Sequence, residues 1–62
     1  MNRIIDYDIL TSTSVMDLVF KVKSQLKEGW IPWGGPFSVY DKDINDILYY
    51  QAIAKHEHYN QT

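Results

Sequence analysis

Apolar and polar residues alternate over positions 3–10, Arg-Ile-Ile-Asp-Tyr-Asp-Ile-Leu, with Ile5, Tyr7 and Ile9 on one side and Asp6 and Asp8 on the other. A period of two in β-forming residues predicts a strand. Thr11-Ser12-Thr13-Ser14 breaks it, because these side chains compete for nearby backbone N–H groups and favour a turn or a helix cap. Ser14 followed by Asp17 has the capping-box spacing, with Asp standing in for Glu. The period then becomes helical over 15–28. Val15, Leu18, Val19, Val22 and Leu26 fall within about 100° of one another, the width of a core-facing stripe, with Asp17, Lys21, Ser24 and Glu28 opposite. Gly29 ends the helix, since glycine alone has no Cβ penalty in the left-handed region. Residues 36–41 read as a second strand, with Phe37 and Val39 on one face, and 47–55 as a third. The third is apolar on both faces: Leu48, Tyr50, Ala52 and Ala54 on one, Tyr49 and Ile53 on the other. That suits a central strand, and the alanines suit a face that a helix approaches closely.

The predicted order is β-α-β-β. Strands two and three form a hairpin across residues 41–46, and a right-handed crossover makes strands one and two parallel. The economical arrangement is an α+β fold, a three-stranded, mainly antiparallel sheet with strand three central and one helix packed on one face. The other face is bare, with Tyr49 or Ile53 available to sit on it and a second copy able to dock there. Residues 1–56 form the single domain, and 57–62 a polar, flexible tail.

Between helix and second strand lies Gly29-Trp30-Ile31-Pro32-Trp33-Gly34-Gly35-Pro36-Phe37, which holds every glycine, proline and tryptophan of the chain. Trp30 is placed to fold back on the last helical turn. Pro32 and Pro36 cannot donate to a ladder, so the approach to Phe37 is an edge, a bulge or irregular. Gly34 and Gly35 make a turn. Whether Trp33 is covered is open: if exposed, the segment has a claim to function; if buried, it is chiefly structural. Met16 and Phe20 lie off the helical stripe, beside Lys23 and Lys27. Either Phe20 covers part of its own chain, or the pair marks an interface.

The chain has 62 residues and no cysteine. A domain of this length buries only about 60% of its unfolded surface, and disulfides are excluded as a staple. Aromatics at 15% compensate in part, and oligomerisation is the expected further support. The net charge of −2 argues against a dedicated nucleic-acid binder. With no signal-like start and no apolar run near the roughly 20 residues of a membrane span, a cytoplasmic protein without membrane contact is expected.

Candidate chemistry is sparse, and no catalytic residue, cofactor or metal site is assigned. Asp41, Asp43 and Asn45 have the opening spacing of a calcium loop, but Asp46 stands where the sharp turn needs glycine and Ala52 where a bidentate glutamate belongs. A solvated hairpin loop is the reading. His56 and His58 could pinch a metal ion, yet no third ligand is evident. The aspartates at 6, 8, 17, 41, 43 and 46 have no sequence-evident partner to split their pKa values, and the serines sit in no nucleophile elbow. Gly34-Gly35 lacks phosphate-loop spacing and precedes a strand. Trp30, Trp33, Phe37, Tyr40, Tyr49 and Tyr50 could form a stacking platform for bases, but the lysines are scattered; packing is the stronger reading.

Tyr7-Asp8-Ile9-Leu10-Thr11, Ser14-Val15 before the amphipathic helix, Gly29-Trp30-x-Pro32-x-Gly34-Gly35-Pro36-Phe37, and Tyr50-Gln51-Ala52 resemble the family known as domain of unknown function 1737, short proteins of bacteria and their phages. The resemblance spans residues 7–55 and implies a small α+β domain. It implies no activity, cofactor or catalytic residue, and the matched positions look structural. The functional expectation is a non-enzymatic interaction module. It self-associates as a homodimer, or meets an unidentified protein partner, through Met16, Phe20, Trp33, Tyr49 and Ile53. The alternative is a binder of single-stranded nucleic acid or a nucleotide-like ligand on an aromatic sheet surface.

Overall fold

The computed structural model describes residues 3–57. Along the chain come β1 (Ile4–Ser12), α1 (Val15–Leu26), β2 (Trp30–Pro32), β3 (Phe37–Asp41) and β4 (Asp46–His56). β4 is the centre of the sheet. β1 flanks it on one side and β2 and β3 flank it end to end on the other, all antiparallel to it. The α+β class and the central last strand agree with the sequence pattern, but the sheet has four strands rather than three. The difference lies in the run before Phe37. Trp30, Ile31 and Pro32 pair with Lys55, Ala54 and Ile53, and the Trp33 N–H still reaches the Ala52 carbonyl at 2.9 Å. The chain leaves the ladder only afterwards, where Gly34 takes φ +87° and Pro36 has no N–H to give. One edge is therefore a single course interrupted in its middle.

The junction of β1 and α1 is built from hydroxyls and one carboxylate. Ser14 caps the helix, its Oγ accepting from Asp17 N at 3.2 Å. The Ser12 hydroxyl donates to Asp17 Oδ2 at 2.7 Å, and Lys21 Nζ donates to the Thr11 carbonyl at 2.8 Å. The helix ends at Leu26, two residues short of the expected 28. Glu28 N and Gly29 N donate to the Gln25 and Leu26 carbonyls, and Gly29 at φ +94° redirects the chain into β2.

Which face the helix covers reverses the expectation. Hollows between helix and sheet are lined by Val15, Leu18 and Val22 together with Tyr49 and Gln51. Neighbouring strand residues point to opposite faces. Tyr49, Gln51, Ile53 and Lys55 therefore share the helix side, and Leu48, Tyr50, Ala52, Ala54 and His56 the open side. Ile53 is 1% exposed, so neither it nor Tyr49 belongs to the bare face. The physical reason is size. A longer side chain is needed to bridge the gap from sheet to helix, while the alanines leave room for an aromatic ring beside them. Trp33, beside Ala52, reaches along that face to the His56 ring at 5.2 Å, and Ala54 between them is 0% exposed.

Across the ladder, Ile9 pairs with Ala52 and Tyr7 with Ala54, so both lie on the open face. A register shift between Ile4 and Asp6 takes Ile5 out of that alternation. The hydrophobic core of the described residues is thin: Leu18, Ile53 and Ala54, with Gln51 as the buried polar member. At the far end the 41–46 hairpin uses its oxygens on its own backbone. Asp43 N donates to Asp41 Oδ1 at 2.9 Å and Ile47 N to Asp46 Oδ1 at 2.7 Å. Asn45 takes φ 55°, and the Tyr40 hydroxyl donates to its side chain. Glu57, expected to open a polar tail, is tied to the residue before β1: its N–H donates to the Arg3 carbonyl, and Arg3 Nε lies 2.7 Å from its carboxylate. The remainder of that segment, His58 of the histidine pair included, lies outside the described residues.

Candidate interaction surface

The open face is assembled by period two from both sides of β4. β1 contributes Tyr7, Ile9 and Thr11; β4 contributes Leu48, Tyr50, Ala52 and Ala54. Ile31 of β2 sits opposite Ala54, and Phe37 and Val39 of β3 sit opposite Tyr50 and Leu48. Phe37 stacks on Tyr50 with ring centroids 4.9 Å apart and planes 14° from parallel. Tyr7, Ile9, Ile31, Phe37 and Val39 are all exposed. Trp33 is 47% exposed, which answers the question left by the sequence: this tryptophan is on the surface.

The segment that carries Trp33 is held from beneath by a residue the sequence reading singled out only as part of a motif. Gln51 is 7% exposed, and its Nε2 donates to the Gly34 carbonyl at 3.0 Å and to the Ala52 carbonyl at 2.8 Å. One amide thus fixes the loop at the point where the edge is interrupted. The available signal was a lone polar residue inside an otherwise apolar run of β4. Gly34 needs its left-handed φ; a Cβ there, or at Gly35, would meet nothing within 4 Å. Trp30 is half-buried on the helix side, with Lys55 Nζ 5.5 Å from its ring centroid. Pro32 and Pro36 close the two ends of the interruption.

Met16 and Phe20 stand apart from this surface. They are 81% and 68% exposed on the outer side of α1, so Phe20 does not cover its own sheet edge. Beside the helix, two adjoining hollows of about 250 and 230 Å³ run between α1 and β3, lined mainly by Val15, Leu18, Val19, Pro36 and Tyr49. They join no histidine to a carboxylate, and among the described residues no three His, Cys, Asp or Glu side chains converge. No helix of the described residues is long and apolar enough to cross a membrane.

The sheet edges are treated differently from the faces. Along β1, Tyr7 N donates to Asp6 Oδ1 at 2.9 Å and Ile9 N to Asp8 Oδ1 at 2.8 Å. These amides are occupied by the preceding side chain instead of being offered to another strand, a recognised way of blunting an edge. Asp17 stands at the head of the helix. The Ser12 hydroxyl, helped by Lys21, holds its carboxyl below the ordinary value of 3.8.

Against known proteins, residues 5–56 match the family model described as Domain of unknown function (DUF1737). No curated protein matches the chain. No solved structure matches it.

Proposed function

The chain belongs to the DUF1737 family, and from that premise we propose that it is a non-enzymatic interaction module that self-associates. The observation that carries this reading is the imbalance between core and surface. Three hydrophobic residues are buried among the described ones, while sixteen large hydrophobics are exposed. A monomer leaves much of the area of these apolar side chains in water, where that area contributes nothing to stability; a partner surface would supply the missing burial. The reading assigns no catalytic residue and sets the module in the cytoplasm, that of the host if the chain is of phage origin. Static light scattering over a concentration series tests it. The expected result is a mass approaching twice the 7.3 kDa of one chain at high micromolar concentration. A mass of one chain throughout would end the self-association reading.

A second reading draws on the aromatic surface. The Phe37–Tyr50 stack and the exposed Trp33 share one face, as in sheet-based binders of single-stranded nucleic acid or nucleotide-like ligands. It is weaker because that face carries no lysine or arginine; Lys55 lies on the helix side with Trp30. Quenching of tryptophan fluorescence by an oligonucleotide, diminishing with salt, would favour it. Absence of quenching at low salt would remove it.

A further inference from the structure

Resting on the self-association reading, we infer that two copies stack open face to open face, about a two-fold axis perpendicular to β4. Tyr7, Ile9, Ile31, Trp33, Phe37 and Val39 are each about half exposed. With aromatics carrying roughly 150–250 Å² each, the face offers on the order of 600 Å² per copy, close to the roughly 800 Å² per partner of a standard interface. Met16 and Phe20 on the outer side of α1 are only two such side chains.

The alternatives along the edges are closed. Asp6 and Asp8 occupy the Tyr7 and Ile9 amides of β1. The other edge is interrupted at Gly34 and flanked by Pro32 and Pro36, neither of which can donate. Strand addition is disfavoured on both sides, which leaves stacking of faces, with sheets about 10 Å apart.

The placement of the carboxylates fixes the direction. Asp41 and Asp46 are register partners at one end of the open face, and His56 lies at the other. A two-fold along β4 would gather four carboxylates at one end. A two-fold across β4 sets the carboxylates of each copy over the imidazole of its mate. The uncharged middle, from Leu48 to Ala54, is the part of β4 that the axis crosses. An apolar, uncharged surface complements it, and a second copy presents one.

The chain has no native cysteine, so single-cysteine variants joined by a short bifunctional thiol reagent test the arrangement. Ala52→Cys, near the axis, is expected to give a two-chain product. Lys42→Cys, in the hairpin, is expected not to, because the two hairpins lie at opposite ends of a stack roughly 35 Å long. As an independent reading, Ile9→Lys introduces a charge into the stacked face. It is expected to raise the dimer dissociation constant at least about 100-fold while far-ultraviolet dichroism stays native, since Ile9 is exposed in the single chain. Cross-linking through Lys42→Cys would overturn the direction. A two-chain mass that survives Ile9→Lys, or cross-linking through Met16→Cys instead of Ala52→Cys, would overturn the face while leaving self-association standing. A single-chain mass for the unaltered protein would overturn both.

Discussion

The two faces of the sheet are made from alternate residues of the same strands, yet they do different work. On the helix side, Ile53 is 1% exposed and Leu18 of α1 is buried, and the polar Gln51 finds both partners for its amide. On the open side, Ile9 and Tyr7 are half exposed, and the rings of Trp33 and Phe37 find ring partners but no cover. Burial of an aliphatic side chain is worth about 1.5–3 kcal/mol, and the helix side collects it at Ile53 and Leu18, while Val15, Val19 and Leu26 of the same stripe stay about half exposed. The open side buries Ala54 and leaves its larger side chains about half exposed. The contrast teaches that one helix is enough to define the fold of this chain but leaves the larger apolar side chains of the other face without cover.

If that division is right, substitutions on the two faces should fail in different ways. The largest expected effect is at Ile53: Ile53→Ala should cost about 2–5 kcal/mol, which is comparable to the whole stability of a domain this size, roughly 3–9 kcal/mol. Urea denaturation at fixed concentration measures it, and the loss should not depend on concentration. Next is Phe37→Ala on the open face, expected to cost about 1–3 kcal/mol of association. Its signature is a melting temperature that no longer rises with protein concentration as the unaltered chain's does. A concentration-independent loss would instead make Phe37 part of a single-chain core. Gln51→Ala should cost about 1–2 kcal/mol by orphaning the Gly34 carbonyl contact, and it should perturb Trp33 fluorescence as the loop loosens. Phe20→Ala sharpens the comparison from outside it: a largely exposed position should change stability by less than about 0.5 kcal/mol.

The smallest effect is a pH dependence. Asp17 titrates below its ordinary value in the folded chain, first through the Ser12 hydroxyl and then through Lys21. A carboxyl lowered on folding stabilises the fold above its unfolded value and loses that contribution as pH falls through the folded one. The difference in urea midpoint between the unaltered chain and Ser12→Ala should therefore be full near neutral pH and shrink below pH 3.8. A difference that grew in acid would contradict the assignment.

What the sequence made legible follows from what each pattern encodes. Ser14, Gly29 and the Val15-to-Leu26 stripe state the helix and its ends directly, because capping and left-handed φ have few residue solutions. The central place of β4 was legible from its two apolar faces. The identity of the covered face was not: period two divides Tyr49 and Ile53 from Ala52 and Ala54 but does not say which set a helix lies over. The alanines suggested a close helix, whereas they accommodate the Trp33 ring. β2 was hidden because Pro32 and Pro36 read as breaks, although a proline at the end of an edge strand costs no ladder bond. The side-chain caps on the β1 edge were hidden too, since Asp6 and Asp8 read only as the polar half of an alternation. Of the candidate surface, Met16, Phe20 and Trp33 were found at exposed positions, while Tyr49 and Ile53 belong to the covered side.

Trp33 is the direct reporter for the open face, and Trp30→Phe leaves it as the single tryptophan. Acrylamide quenching of that variant should be strong at low concentration and fall as concentration is raised through the association midpoint, because a second copy covers the ring. Quenching that stays the same across the range, while light scattering reports two chains, would mean that the open face is not the surface that associates.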